Sequence, residues 1–438
     1  MYESILSAVS GAKETVMETA QYLWDHPETG YRETESSRHV ADKLRELGLT
    51  VREFDIPGCV AVYDTGRPGP NICIMGELDS LIIFDHPDCN EKGYVHACAH
   101  HMQTAAMLGA AYGLLKSDAK DKLCGKLTFV AVPAEECIEL AFREELRKAG
   151  KIRYYGGKPE FLARGVFDGV DISMMCHGAT HREDEAVWMC GTSNGMVGKI
   201  IHYTGVACHA ASPHKGVNAL YAATLGLSAV NAVREKFEEK DYIRVHPIMT
   251  RGGDVVNAIP DHAELETYVR SASVKGMVAA AGAVDRAFVG GAVSMGCECR
   301  ISTKAGYMPT TVSNELTELC MEVIPAVTGK KTSLDPHETG STDMGDISTL
   351  MPTMQFNVGG SVGAYHSKDL VVPERSREAM YLNGGRVMAA VAFELLKDGG
   401  KKAAEIVTAY KPEFATPAEY MELADSFFSE KTYKIDID

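Results

Sequence analysis

The chain has 438 residues, 45% of them hydrophobic and 24% charged, with a formal net charge of −16. That length exceeds one ordinary hydrophobic core, so two or three domains are expected. The acidic balance argues against nucleic acid and anionic membrane as main partners, while leaving room for a locally basic pocket.

Residues 1–20 mix Glu, Lys and apolar side chains at helical spacing, without the uninterrupted apolar core of a signal peptide. No apolar run is expected to span a membrane. The twelve scattered cysteines form no paired framework, which fits reduced thiols in a cytoplasm. Residues 71–76 (NICIMG), 126–132 (KLTFVAV) and 171–176 (DISMMC) are short apolar runs that predict buried strands; 102–115 predicts a helix. Alternation of this kind predicts a parallel sheet covered by helices.

Each of those strands is followed by groups that bind metals or move protons. Glu77 and Asp79 follow the first, Glu135 and Glu136 the second, and His177 the third. Open parallel sheets bind ligands at the carboxyl ends of their strands. Between the first two strands lies 96–101, HACAHH, with one thiol and three imidazoles. Thiolate and imidazole are preferred zinc ligands. Cys98 and His100 stand two apart, and in extended backbone both would point the same way. A buried core cysteine, a histidine-activated cysteine nucleophile and a structural zinc site are the competing readings. The converging carboxylates favour a catalytic metal centre over structural zinc. Adjacent Glu135 and Glu136 diverge, so one can ligate a metal while the other faces water and acts as general base.

From about residue 193 the pattern changes. Strands at 198–203, 242–250, 263–270 and 293–301, with helices at 217–237 and 274–288, predict a ferredoxin-like β-α-β-β-α-β unit. This insert, 193–306, has the size of a domain. It divides a metal-binding domain into 1–192 and 307–438, the latter with a helix at 315–323, a strand at 353–358 and a helix at 375–396. His366 lies on a loop after that strand, where an ordinary surface histidine and a last ligand are the competing readings.

Five segments in order, GELDSL (76–81), HACAHHMQTAAMLGAA (96–111), PAEE (133–136), GVACHAASPHKGVNAL (205–220) and GSTDMGD with YHS (340–346, 365–367), resemble the two-domain metallopeptidases that include aminoacylases and glutamate-releasing carboxypeptidases. The match is to the amidohydrolase branch, with hippurate, auxin-conjugate and aminobenzoyl-glutamate hydrolases. The resemblance implies an α/β fold: a mixed, mainly parallel sheet flanked by helices, of zinc-exopeptidase type, with an inserted ferredoxin-like α+β lid and dimerisation domain. It implies two divalent metal ions per chain, zinc first, with manganese, cobalt or nickel as alternatives. Cys98 would bridge them, His100 and His177 would each ligate a metal, Glu136 would ligate opposite, and His366 would close the set. Glu135 would be the general acid/base, and Asp79 would orient a ligand. His209 would stabilise the oxyanion across a homodimer interface, and Asn257 and Arg270 would hold the substrate carboxylate.

The implied reaction is hydrolysis of an N-acyl or N-aroyl amino acid, or a dipeptide, by metal-activated water. The alternative is a non-catalytic descendant that binds metal or ligand; retention of Glu135 argues against it. The chain departs from the usual HACGHD at Ala99 and His101, and Gln103 replaces a common histidine. His101 is expected to point away from Cys98 and His100.

Overall fold

The computed structural model describes residues 2–434. The chain packs as two units. The first comprises Met1–Gly191, Thr311–His337 and Ile347–Ala415, and the second Thr192–Thr310, Glu338–Asp346 and Thr416–Asp438. The expected division at 1–192, 193–306 and 307–438 therefore differs towards the C terminus. Residues 416–434 belong with the second unit, because Ser429–Tyr433 adds a strand to its sheet.

The first unit is built on a seven-stranded sheet. Its spatial order is Val51–Glu53, Cys59–Asp64, Lys126–Val132, Asn71–Glu77, Ile172–Thr180, Thr353–Ser361 and Val187–Met189. The four strands from Lys126–Val132 to Thr353–Ser361 run parallel, and antiparallel strands finish both edges. Parallel strands are covered on both faces, which is why their sequences are apolar runs rather than alternations. Asn71–Glu77 and Lys126–Val132 are buried at every position after the first. Glu77 pairs with Val132, so these two strands deliver their carboxyl ends at one level.

Two helices dominate the packing on this sheet, His100–Leu115 and Glu374–Leu396. Every residue of His100–Leu115 except Tyr112 is buried, so the helix has no polar face to lose. Small residues let the pair approach closely: a Cβ on Gly385 would stand 2.9 Å from the Ala106 carbonyl oxygen. The N-terminal helices Glu3–Gly11 and Lys13–Asp25 bury Ile5, Val9, Val16, Ala20 and Leu23.

The second unit carries an antiparallel sheet ordered Arg244–Val245, His262–Ser271, Gly195–Thr204, Glu298–Ala305 and Ser429–Tyr433, with Ile248–Arg251 also paired to His262–Ser271. The helices Ala219–Val233 and Val274–Met295 give the β-α-β-β-α-β order expected from the sequence, except that the strand expected at 242–250 is split into Arg244–Val245 and Ile248–Arg251. The second helix is also longer than expected. Val274–Met295 runs past residue 288 and absorbs Val293, so the last strand begins at Glu298. By length and composition this helix is also apolar enough to cross a membrane, contrary to the expectation that no segment would be. Within its unit it buries Met277, Val284 and Phe288 among its apolar positions.

Candidate metal centre

The centre is assembled at the carboxyl edge of the parallel strands of the first unit. Strand Ile172–Thr180 is four residues longer than its apolar core, so His177 lies within it rather than after it. Cys98 and His100 are not on extended backbone. Ala99 adopts left-handed geometry (φ 62°, ψ 26°) and His100 is the first residue of the helix. The expected reason for their pairing is thus corrected: a left-handed turn into a helix, not an i, i+2 strand, brings the two side chains together. A left-handed alanine is uncommon, and such residues concentrate at functional sites.

Cys98 is the common point of two donor groups. Cys98, His100 and His177 have ligand atoms within 4.8 Å of one another, and so do Cys98, Glu136 and His366. The Cys98 Sγ lies 3.4 Å from His177 Nε2 and 3.3 Å from His366 Nε2. His366 Nε2 is also 3.1 Å from Glu136 Oε1. A third group joins Glu77, His100 and Glu135.

Hydrogen bonds fix the tautomers. His100 Nδ1 donates towards the Asp79 carbonyl at 2.9 Å and its carboxylate at 3.0 Å. His177 Nδ1 donates to the Gly178 carbonyl at 2.7 Å. Each ring thereby turns Nε2 towards the cluster, the arrangement by which outer partners orient metal-binding imidazoles. Asp79 does double duty, because its other oxygen accepts the Glu136 backbone N–H at 2.8 Å.

The Pro133–Glu136 turn is clamped from three sides. Ala134 is left-handed (φ 56°), and its N–H is accepted by buried Glu33 at 2.7 Å. Buried Arg143 donates to the carbonyls of Ala134, Tyr155 and Glu136. Helix Gly157–Ala163 begins against the turn so closely that a Cβ on Gly157 would lie 1.6 Å from the Pro133 carbonyl oxygen. The next residue, Lys158, is fully buried and ion-paired with Glu77.

The charges respond to this crowding. Burial opposes the His100 imidazolium, but the Cys98 sulfur and the Glu77 and Asp79 carboxylates outweigh it and hold the group well above its ordinary range. Burial and Glu136 push the Cys98 thiol well above its usual value. The hydrogen bond to Glu136 leads the causes that raise His366.

The donor set fits a pair of divalent cations. His100 Nε2 is a buried atom that makes no hydrogen bond within the protein. Such orphans in a native structure call for an ion or water. Sulfur, imidazole and carboxylate together suit zinc and neighbouring transition metals.

The remaining expected residues lie elsewhere. His209, Asn257 and Arg270 belong to the second unit. His209 is exposed and bridges to Ala258, while Ala210 N–H donates to the Asn257 carbonyl, so His209 and Asn257 are neighbours. Arg270 donates to the Ser341 hydroxyl at 2.7 Å. His101 does point away from the cluster: it is buried, 3.1 Å from the Tyr381 hydroxyl and edge-on to Trp24. Sequence reasoning missed Glu33, Arg143 and Lys158, and it left Glu77 without a role. The only signal was a charged residue inside an otherwise apolar or Gly-rich stretch, as in GGKPEFLA (156–163).

Residues 73–394 match peptidase family M20/M25/M40. Thermostable carboxypeptidase 1 of Saccharolobus solfataricus is 25% identical over 341 residues, covering 75% of this chain and 81% of its own. One subunit of the p-aminobenzoyl-glutamate hydrolase of Escherichia coli is 28% identical over 291 residues, covering 62% of this chain and 54% of its own. The crystal structure of a Bacillus subtilis dinuclear metal binding peptidase of family M20 superposes with a TM-score of 0.69 at 20% identity, over 88% of this chain and 99% of that one. The chain belongs to peptidase family M20/M25/M40 and is a hydrolase of amide bonds.

Proposed function

We propose that this protein releases a free amino acid from an N-acyl or N-aroyl amino acid, or from a dipeptide, using two divalent metals. The observation that carries the reading is the sharing of Cys98 between the His100–His177 and Glu136–His366 donor pairs. Cys98 would bridge, His100 and His177 would hold one cation, and Glu136 and His366 the other. Zinc is the first choice, with manganese, cobalt or nickel as the alternatives that such mixed donors accept. When bound, these cations supply Lewis acidity, polarising the scissile carbonyl and lowering the pKa of water.

The protein supplies the rest. Glu135, in the same turn as Glu136, takes a proton from the attacking water and returns it to the leaving nitrogen. Water oxygen bonds to the acyl carbon, the C–N bond breaks, and acid and amine leave. Asp79 keeps His100 in the tautomer that presents Nε2. Arg270 and Asn257 hold the carboxylate of the released amino acid. His209 donates to the developing oxyanion of a partner subunit's site.

The second unit would then serve as lid and dimerisation domain of a homodimer. Its edge strand Ile248–Arg251 is exposed at all four residues, and Val255 and Val256 beside it are exposed apolar side chains. An open edge with an apolar rim is what a second copy would cover. All twelve cysteines are unpaired, which supports a reducing cytoplasm.

The test is a panel of N-acyl amino acids, aroyl-glutamates and dipeptides, assayed with metal-loaded and chelated protein. Cleavage that stops with chelator and returns with added metal is expected. Cleavage that survives chelation but is lost on thiol alkylation would replace this reading with a Cys98 nucleophile.

A further inference from the structure

Glu77 and Lys158 form a buried ion pair beneath the metal centre. Their side chains are 1% and 0% exposed. Buried pairs of this kind contribute little net stability over apolar packing, so stability alone does not account for this one. One Glu77 oxygen pairs with Lys158, and the other, Oε2, stands 3.2 Å from His100 Nε2. That contact is not a hydrogen bond, since His100 Nε2 has no hydrogen-bond partner. Because Nδ1 is engaged by Asp79, Nε2 is the His100 nitrogen left to meet a ligand. A carboxylate oxygen and an imidazole nitrogen thus face each other at 3.2 Å. Two potential ligand atoms so placed, both buried, are complementary to a shared cation. Glu77, His100 and Glu135 indeed have ligand atoms within 4.8 Å of one another.

We infer that Glu77 is a further ligand to the cation held by His100, and that Lys158 competes with that cation for the carboxylate and so limits how tightly it is bound. The inference rests on the dinuclear reading above and adds a residue to it. Lys158 is positioned for this by the close seating of Gly157 on Pro133, which brings the start of its helix against the end of Lys126–Val132, the strand whose Val132 pairs with Glu77.

The test is Zn²⁺ affinity and stoichiometry by competition with a chelating dye, together with thermal unfolding with and without Zn²⁺. It uses full-length wild type, Glu77→Gln, Lys158→Met and the double variant. Glu77→Gln is expected to weaken one of two Zn²⁺ sites by about 10–100-fold and leave the other unchanged. Lys158→Met is expected to tighten the same site by at least about tenfold, with a larger Zn²⁺-induced rise in unfolding temperature than wild type. The double variant replaces the ion pair with neutral groups and keeps the fold readable if Lys158→Met alone fails to fold; it should bind like Glu77→Gln. Wild-type affinity at both sites in Glu77→Gln and in the double variant would reduce the pair to a structural one and overturn the inference alone. A wild type that binds no Zn²⁺ would overturn the dinuclear reading with it.

Discussion

Cys98 gathers four side chains that the sequence scatters from residue 100 to residue 366, and its neighbours divide the work by position. Glu136 faces His366, while Glu135 falls in the group with Glu77 and His100. Glu135→Gln is accordingly expected to keep both metals and the unfolding temperature while losing turnover by about 10²–10⁴-fold, the usual weight of a general acid/base; steady-state kinetics beside elemental analysis checks it, and near-normal turnover would remove the assignment. Asp79 is expected to matter through His100 and the Glu136 backbone. Asp79→Ala should weaken metal binding by about 10–100-fold, read by chelator competition. Among the candidate donors, Cys98, His100 and Glu136 were legible as dense local motifs, His177 as a strand end, and His366 mainly through the resemblance. Glu33, Arg143 and Lys158 were not, because each is a single charge whose burial is created only when distant segments pack around it.

At the level of elements, strand ends carried most of the information. Apolar runs bounded by acidic residues or histidine marked the parallel strands because both their faces are covered. Extents were less legible where the sequence satisfies two patterns. Val293 and Met295 suit either a strand or the last turn of a helix; they lie in the helix, which runs to a left-handed Gly296 and leaves Val293 exposed. Ser429–Tyr433, with the sequence SEKTY, shows no apolar alternation, since it is an edge strand held by backbone pairing to Glu298–Ala305. Deleting the chain from Ser429 onwards should therefore expose that partner edge and lower the unfolding temperature of the second unit; an unchanged melting profile would show the strand to be dispensable. Gly157→Ala should cost about 1–3 kcal/mol by overpacking against Pro133, measured by denaturant unfolding.

At the scale of the molecule, the ferredoxin-like insert separates His209, Asn257 and Arg270 in sequence from the candidate metal ligands, and the proposed homodimer gives that separation a purpose. Mixing His209→Ala with Glu135→Gln subunits should recover about a quarter of wild-type activity if the histidine acts across a two-fold interface, because half the random dimers then hold one intact site. No recovery, with mixed dimers demonstrated, would place His209 in its own subunit's chemistry. The dinuclear centre is tested most directly by counting metal per chain in wild type and Cys98→Ser after reconstitution and desalting. Two ions in the wild type and a clear loss of occupancy in the variant are expected; one ion or none in the wild type, or two in both proteins, would contradict a thiolate shared by two cations.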